Sequence, residues 1–177
     1  MTTGILLGIA RHARSKAPME VLDAADVTPE GGVVGDFRGG MKGKPYKRQV
    51  TLIERADWDA ALAEIGRSIP WQERRANLLV DGIDLPQVPG ARIRIGGDVV
   101  LEVTGEDDPC SRMEVIAPGL EAALTPDWRG GACAKVIRGG RIAAGDEIRI
   151  EETWPSHSEH STTWATSMVK ESSSERI

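Results

Sequence analysis

The sequence is poor in the features that mark secreted, membrane-spanning and nucleic-acid-binding proteins. Its 177 residues include only two cysteines, too few for a secreted disulfide framework, so we expect both thiols to be reduced. No apolar run approaches the roughly 18 residues of a membrane span, and no charged segment precedes the short apolar stretch near the N-terminus. The net charge of −5 argues against a nucleic-acid-binding surface. These absences predict a cytoplasmic protein with neither a nucleic-acid nor a membrane partner.

Histidine is also scarce, with three residues in the chain. His12 is the only one outside the last 26 residues, which makes a Ser-His or Cys-His hydrolase a weak hypothesis. His157 and His160 have the spacing of zinc ligands, but no second pair accompanies them, so we expect no metal site there. Flavin, haem and iron-sulfur motifs are missing, and any redox chemistry therefore needs a separate electron donor.

Short β-rich runs separated by glycine turns dominate the chain. The run "RIRIGGDVVLEVTG" predicts a hairpin that turns at Gly96-Gly97, because glycine supplies the positive φ angles of tight turns. The run "AKVIRGGRIAAGDEIRIEE" predicts a second such turn at Gly139-Gly140 and a last strand after Gly145-Asp146. We predict further strands over residues 5–10, 49–52 and 77–80.

Only two segments have helical patterns. Residues 53–65 carry apolar side chains at helical spacing and are followed by Gly66 as a stop signal, and a shorter helix is predicted over 118–124. Many short strands with few helices predict a mostly-β fold, a closed or nearly closed barrel with a few short peripheral helices. From residue 152 onward the composition becomes rich in Ser and Thr. We therefore predict one domain over 1–151 and a disordered tail over 152–177.

A basic segment, "RGGMKGKPYKR", spans Arg38 to Arg48 and holds five basic residues among glycines. It is not a Walker loop, because Arg38 and Pro45 stand where that motif needs Gly and Ser or Thr. Glycine amides with nearby Lys and Arg side chains can still hold an anion. A solvated, mobile loop and an anion-binding loop both remain open.

A second basic element, "ERRANLLVDG", leads directly into an apolar strand. Arg74, Arg75 and Asn77 stand at the entrance of that strand, where planar guanidinium groups and an amide can clamp an anion. A surface ion-pair cluster explains the same residues equally well.

The two cysteines have different surroundings. Cys110, in "TGEDDPCSRMEV", follows a proline at the end of a strand, where a barrel presents reactive side chains. Carboxylates that face a thiol oppose thiolate formation, so we expect at least Glu106 and Asp107 to point to solvent. Cys133, in "GGACAKVI", is flanked by alanines in an apolar strand and is predicted to be a small buried hydrophobe.

The order of these elements resembles the MOSC domain, the module named after the C-terminal part of molybdenum cofactor sulfurase. The resemblance covers nearly everything from Gly4 to Glu151. Standalone small members of the family look the most similar. The segments that carry it are "VVGDFRGG", "RQVTLIE", "RRANLLVDGIDL", "GDVVLEVTGEDDPC", "PGLEAAL", "WRGGACAKVIRGGRI" and "AGDEIRI".

The resemblance implies a MOSC-type β-barrel and a single functional cysteine. Cys110 matches the family's Pro-Cys element, whose thiol either carries sulfur as a persulfide or ligates the molybdenum of the molybdenum cofactor (molybdopterin). A soft thiolate suits both roles. Arg75 and Asn77 match the family's Arg-x-Asn element and would hold the cofactor's phosphate or pterin edge. Further candidates are Lys44, Lys47 and Arg48 for the anion site, and Thr104 and Asp108 for the lining of the same pocket.

Three functional hypotheses follow from the resemblance. We favour a molybdenum-dependent oxidoreductase that reduces N-hydroxylated small-molecule substrates, with Cys110 as metal ligand and a separate protein as electron donor. The alternative is a sulfur carrier without enzymatic activity, in which Cys110 accepts sulfur from a donor and holds it as a persulfide for metal-sulfur cluster assembly. A third possibility is a barrel that serves as a ligand-free interaction module. Stoichiometric molybdenum would support the first, a labile sulfur on Cys110 the second, and the lack of both the third.

Overall fold

A closed barrel of seven β-strands forms the body of the protein in the computed structural model, which describes residues 3–41 and 47–151. Buried apolar side chains from the strands fill its interior. The strands are β1 (Thr3–Arg11), β2 (Glu20–Leu22), β3 (Ala24–Thr28), β4 (Gly32–Val33), β5 (Val50–Glu54), β6 (Leu78–Asp81), β7 (Arg92–Ile95), β8 (Val99–Glu106), β9 (Ala132–Arg138), β10 (Gly140–Ala143) and β11 (Glu147–Glu151).

The barrel runs in the order β11-β7-β8-β9-β5-β6-β1 and closes because β1 also pairs with β11. Neighbouring strands are antiparallel except β5 and β6, which pair in parallel with Leu52 opposite Leu78. A parallel pair needs a crossover connection, and the segment between β5 and β6 contains a helix. Residues that precede β5 and β6 therefore lie at one end of the barrel, and residues that follow them lie at the other. The mostly-β barrel predicted from the sequence is confirmed.

One of the two predicted glycine turns joins paired strands, and the other does not. Ile95 pairs with Val99 across Gly96-Gly97, and Gly96 has a φ of 62°, so the first hairpin is confirmed. The strands on either side of Gly139 do not pair with each other. Instead β10 joins a separate three-stranded sheet in the order β10-β3-β4. Gly139 lies where the chain passes from the barrel to this small sheet. The backbones pack closely there, since a Cβ atom on residue 139 would lie 2.5 Å from the carbonyl oxygen of Val27.

Three short helices lie outside the barrel: α1 (Arg55–Ile65), α2 (Ser111–Ile116) and α3 (Leu120–Ala123). Helix α1 ends as predicted at Gly66, whose φ of 66° is left-handed. It begins two residues later than predicted, because Ile53 and Glu54 still belong to β5. Helix α3 likewise begins after the predicted Pro118. Helix α2 was not predicted, since six residues are too few for a clear helical period.

The apolar residues form two clusters. The larger fills the barrel and includes Leu6, Leu52, Leu101 and Ile148. The second lies between the barrel wall and the helices, where the buried Trp58 of α1 packs near Leu120 of α3 and Met113 of α2. Met113 thus holds α2 against the outside of the barrel, and with it Cys110, the residue directly before the helix.

Some sequence predictions concern residues outside the described part of the chain. The Ser/Thr-rich tail from residue 152, with its two histidines, lies there, and so does Lys44. Within residues 3–41 and 47–151, the helices are too short and too polar to span a membrane.

Candidate functional site

A small pocket opens at the barrel end where β5 and β6 begin. Its volume is about 70 Å³. The side chains come from the end of β1, the segment after β4, the residues before β5 and β6, and the connection from β8 to α2. The residues that line this Cys110 pocket are His12, Arg38, Arg48, Arg74, Arg75, Asp107, Cys110, Arg112 and Met113.

Cys110 stands at the N-terminal end of α2 with an extended backbone, at φ −123° and ψ 176°. Its carbonyl oxygen accepts a hydrogen bond of 2.9 Å from the backbone N–H of Met113, so the backbone of Cys110 is tied to the buried side of α2. The thiol itself is exposed. The structure therefore presents an accessible thiol in a basic pocket.

Cys133 has the opposite environment. It lies on β9 and is buried, as predicted for a small hydrophobe. Burial, and then the negative charge of Asp107, raise the pKa of the Cys133 thiol to about 12. The thiol donates a hydrogen bond of 3.6 Å to the carbonyl oxygen of Glu106. Cys133 is thus protonated and partnered at neutral pH, and it is not among the residues that line the pocket.

Asp107 is buried, which contradicts the expectation that it points to solvent. Its side chain is 2% exposed and forms two ion pairs, at 2.5 Å with Arg48 and at 3.3 Å with Arg74. Arg74 also donates to the backbone carbonyls of Asp107 at 2.7 Å and Gly130 at 2.9 Å. Two guanidinium groups compensate the cost of burying this carboxylate. The pair Asp107–Arg74 fixes the backbone that leads to Cys110.

The other acidic residues of the same segment do not line the pocket. Glu106 is partly buried, and desolvation is the main cause that raises its pKa. A hydrogen bond with Asp108 and the negative charge of Asp108 raise the pKa further. Asp108 is exposed. Thr104, predicted to line the pocket, donates its hydroxyl hydrogen to the carbonyl oxygen of Lys47. The structure thus brings neither Thr104 nor Asp108 into the Cys110 pocket.

Arg75 lies in the pocket at the end of a 3₁₀ turn over Trp71–Arg74. Its backbone is left-handed, with φ at 68°, and its N–H donates to the carbonyl oxygen of Gln72 at 2.9 Å. Desolvation lowers the pKa of Arg75, and the nearby charges of Arg112 and Arg38 lower it further. Three positive side chains therefore lie close together beside Cys110.

These three residues, Arg38, Arg75 and Arg112, form what we call the arginine cluster. Within the part of the chain that the structure describes, none of them makes an ion pair or a side-chain hydrogen bond. Arg38 and Arg112 are exposed and Arg75 is half-buried. Sequence reasoning had not assigned Arg38 and Arg112 to the site, although Arg112 follows Cys110 closely and Arg38 begins the basic segment. A cluster of unpaired guanidinium groups is a site for an anion.

Asn77 is placed behind the pocket and does not line it. Its side-chain oxygen accepts from the backbone N–H of Thr51 at 3.0 Å, and its amide nitrogen donates to the carbonyl oxygen of Ala10 at 3.1 Å. The residue is buried and bridges β5 and β1. The two residues of the Arg-x-Asn element therefore have different positions. Arg75 lines the pocket, whereas Asn77 joins the strands beneath the pocket.

The remaining basic candidates differ in availability. Arg48 lines the pocket, but its guanidinium group already pairs with Asp107. Lys47 is exposed and is not among the lining residues. His12 lines the pocket, and its Nδ1 lies 2.9 Å from the carbonyl oxygen of Arg14. Among the described residues, no group of three or more His, Cys, Asp or Glu side chains is arranged to hold a metal ion.

A second pocket lies at the opposite barrel end, where β5 and β6 finish. This acidic pocket has a volume of about 280 Å³ and is lined by residues 54–56 and 80–84. Glu54 has its pKa raised to about 7, by burial first and then by the charge of Asp57. Its carboxyl group also accepts from the backbone N–H of Leu85 at 3.3 Å. Protonated Glu54 and Asp57 can therefore share a hydrogen bond near neutral pH.

Comparison with known proteins identifies the family and the fold. The family model of the MOSC domain matches residues 30–149. The structure of the YuaD protein from Bacillus subtilis is 24% identical and covers 82% of this chain and 94% of its own, with a TM-score of 0.71. YiiM from Geobacillus stearothermophilus is 16% identical, covering 84% of this chain and 73% of its own, with a TM-score of 0.60. YiiM from Escherichia coli is 15% identical, covering 86% and 70%, with a TM-score of 0.59. A search of curated protein sequences gave no match.

Proposed function

Because the chain belongs to the MOSC domain family, we propose that it binds the molybdenum cofactor at the Cys110 pocket and reduces N-hydroxylated substrates. The observation that carries the proposal is the exposed thiol of Cys110 beside an arginine cluster that forms no ion pair in the described part of the chain. A thiolate is a ligand that molybdenum accepts, and guanidinium groups bind phosphate in a bidentate manner.

The residues present fit two parts of that cofactor. Cys110 offers the soft ligand, and the arginine cluster offers the positive charge that a phosphate needs. The pocket of about 70 Å³ does not enclose a pterin, since pockets for ligands of that size measure about 300 Å³ or more. This pocket would therefore hold the molybdenum, through Cys110, and the phosphate of the cofactor, through the arginine cluster. We propose that the segment with Lys44, Lys47 and Arg48 forms a further part of the anion site.

The chain's own contribution would be binding and orientation. Arg74 and Asp107 hold the backbone before Cys110, and Arg75, supported by Asn77 beneath it, holds the anion. When bound, the cofactor supplies the oxygen-removing redox step on an N-hydroxylated substrate, with electrons from a separate donor protein. The two free cysteines, Cys110 and Cys133, fit a reducing compartment such as the cytoplasm.

Molybdenum analysis tests this proposal. The full chain, produced in cells with intact cofactor synthesis, should contain close to one molybdenum per chain and should reduce N-hydroxylated bases or amidines when a chemical electron donor is added. Arg75→Ala should lose most of the metal. Arg141→Ala is the matched control, because Arg141 is an exposed arginine paired with Asp26 on the small sheet. Protein without molybdenum, or equal retention in the two variants, would contradict the proposal.

The exposure of Cys110 also supports the second candidate, a sulfur carrier. An accessible thiol at the rim of a basic pocket can accept a sulfane sulfur and pass it to a partner for metal-sulfur cluster assembly. This function needs no bound cofactor. Mass spectrometry distinguishes the two: a labile increase of one sulfur atom on Cys110, in protein without molybdenum, favours the carrier.

A further inference from the structure

The Cys110 pocket has the size and charge for one small oxoanion. Its volume of about 70 Å³ is well below the roughly 300 Å³ at which pockets for drug-sized ligands begin, so it suits a small anion. The only carboxylate among the lining residues, Asp107, is already compensated by Arg48 and Arg74. Glu73 and Asp36 act on Arg75 only through their charge, without an ion pair among the described residues, so the guanidinium groups of the arginine cluster are available to an anion from solution.

The positive groups and the nucleophile share this one pocket. Arg112 is two residues beyond Cys110 on the same short helix, and Arg38 and Arg75 come from two other segments. The thiol of Cys110 has no hydrogen-bond partner in the described part of the chain. An anion bound by the arginine cluster is thus placed beside a sulfur atom that is free to react. Simple phosphate or sulfate would satisfy the arginines but would give the thiol nothing to attack.

We infer that this pocket takes inorganic thiosulfate and that Cys110 removes its sulfane sulfur. The three oxygens on the central sulfur of thiosulfate can accept hydrogen bonds from guanidinium groups, and its terminal sulfur is an electrophile for a thiolate. This activity lies beyond the cofactor-dependent reductase and requires no metal. It also supplies a chemical source for the persulfide of the sulfur-carrier candidate.

The reaction balances without an outside oxidant or reductant. The Cys110 thiolate attacks the terminal sulfur of thiosulfate, and a new sulfur-sulfur bond forms between them. The original bond between that sulfur and the sulfonyl group breaks, and its electron pair leaves with sulfite. The products are a Cys110 persulfide anion and sulfite, with the total charge unchanged. The arginine cluster would stabilise the negative charge that accumulates on the leaving sulfite.

Incubation of the purified full chain with thiosulfate tests this inference. We expect a mass increase of one sulfur atom on Cys110, reversed by a reducing thiol, together with one sulfite released per chain. Cyanide should then remove the sulfur as thiocyanate and regenerate the thiol. Cys110→Ser should show neither change, and Cys133→Ser should behave as the unmodified chain.

The arginine cluster is tested by Arg38→Gln and Arg112→Gln, both at exposed positions where the fold should persist. Each should raise the thiosulfate concentration for half-maximal labelling by about tenfold, the effect of losing one hydrogen bond to a charged group. Arg141→Gln should leave it unchanged. Labelling with neutral iodoacetamide, similar in all four proteins, shows that the thiol remains intact.

Two results would overturn the inference. One is an absence of added sulfur when iodoacetamide still labels Cys110, and the other is an unchanged thiosulfate dependence in both arginine variants. Molybdenum content is measured separately, so the two proposals fail independently. Molybdenum binding without thiosulfate reactivity defeats only the inference, and thiosulfate reactivity in chains that never acquire molybdenum defeats only the cofactor proposal.

Discussion

The two ends of the parallel strands β5 and β6 carry opposite charges. Arg48 and Arg75 precede these strands, whereas Glu54 is the last residue of β5 and Asp84 follows β6. Strand β5 has five residues, so the two groups are separated by about 16 Å along the barrel. The net charge of −5 is a sum over the whole chain and does not show that basic and acidic residues are separated in this way. An acidic chain can therefore hold a strongly basic site.

Like charges are crowded at both ends, but the two ends relieve the crowding differently. A carboxyl group can take up a proton, and Glu54 does so with its pKa raised to about 7. A guanidinium group stays charged in proteins, so Arg38, Arg75 and Arg112 cannot neutralise themselves. The acidic end can lower its charge by taking up a proton, whereas the basic end can lower its charge only with a counter-ion, which we propose to be an external anion. This difference is why we place the function at the basic end.

The largest expected effect is the loss of chemistry at Cys110. Cys110→Ser should abolish molybdenum binding, persulfide formation and reductase activity, because a hydroxyl group neither ligates as a soft thiolate nor carries sulfane sulfur. The fold should persist, since the thiol is exposed and has no partner in the described residues. Metal content, mass spectrometry, a reductase assay and circular dichroism check these four statements.

Cys133→Ser is the matched control for that experiment. Its hydroxyl group can donate to the carbonyl oxygen of Glu106, as the thiol does now, so the loss of stability should stay at about 1 kcal/mol. Cofactor loading of the folded protein should be normal. If Cys133 proved to be the reactive thiol, the chemistry would lie on strand β9 in the barrel wall. The conclusion that the function lies at the basic end would then be wrong.

The next largest effect concerns the buried ion pairs behind the arginine cluster. Arg74→Met should lower the free energy of unfolding by about 3 kcal/mol, because Asp107 would remain buried with only the half-exposed Arg48 as a partner. Urea denaturation measures the change. The double variant Arg74→Met with Asp107→Leu should recover part of the loss. A double variant less stable than the single would show that packing, rather than charge, explains the effect.

These ion pairs also show where prediction from sequence ended. The hairpin at Gly96-Gly97 and the buried nature of Cys133 follow from neighbouring residues, and both were predicted. Asp107 meets Arg48 across 59 positions and Arg74 across 33, which no local pattern encodes. Its burial was consequently missed. Arg75 was predicted to hold an anion, but Arg38 and Arg112 were not assigned to its site, because the three residues come from segments that only the closed barrel brings together.

A smaller effect is expected from anions at the basic end. Sulfate at ten times its dissociation constant should stabilise the chain by about 1.4 kcal/mol, provided that it binds only the folded state. The double variant Arg38→Gln with Arg112→Gln should lose this stabilisation. Without sulfate, the same variant should be slightly more stable than the unmodified chain, because repulsion around Arg75 is relieved. Thermal unfolding at constant ionic strength measures both quantities. Equal stabilisation of the two proteins would indicate a general salt effect rather than a site.

The smallest effect concerns the proton at the acidic end. The folded chain keeps the Glu54 proton up to about pH 7, whereas the unfolded chain releases it near the ordinary value of 4.5. The stability from this proton is therefore fully present below about pH 4.5 and is lost as the pH rises through about 7. Burial, and then the charge of Asp57, raise the pKa of Glu54. Burial also raises the pKa of Asp57, although its hydrogen bond with Glu54 and the charge of Arg129 partly offset that rise.

Glu54→Gln places a neutral donor and acceptor at this position, and it should remove that part of the pH dependence. Relative to the unmodified chain, the variant should gain stability between pH 5 and pH 8, by on the order of 1 kcal/mol, since Glu54 is only partly buried and solvent screens its charge. Urea denaturation across this pH range measures the difference, with Glu30→Gln as the exposed control. Parallel curves for Glu54→Gln and the unmodified chain would mean that Glu54 is ionised throughout. The acidic end would then hold uncompensated charge, and it would need a cation as the basic end needs an anion.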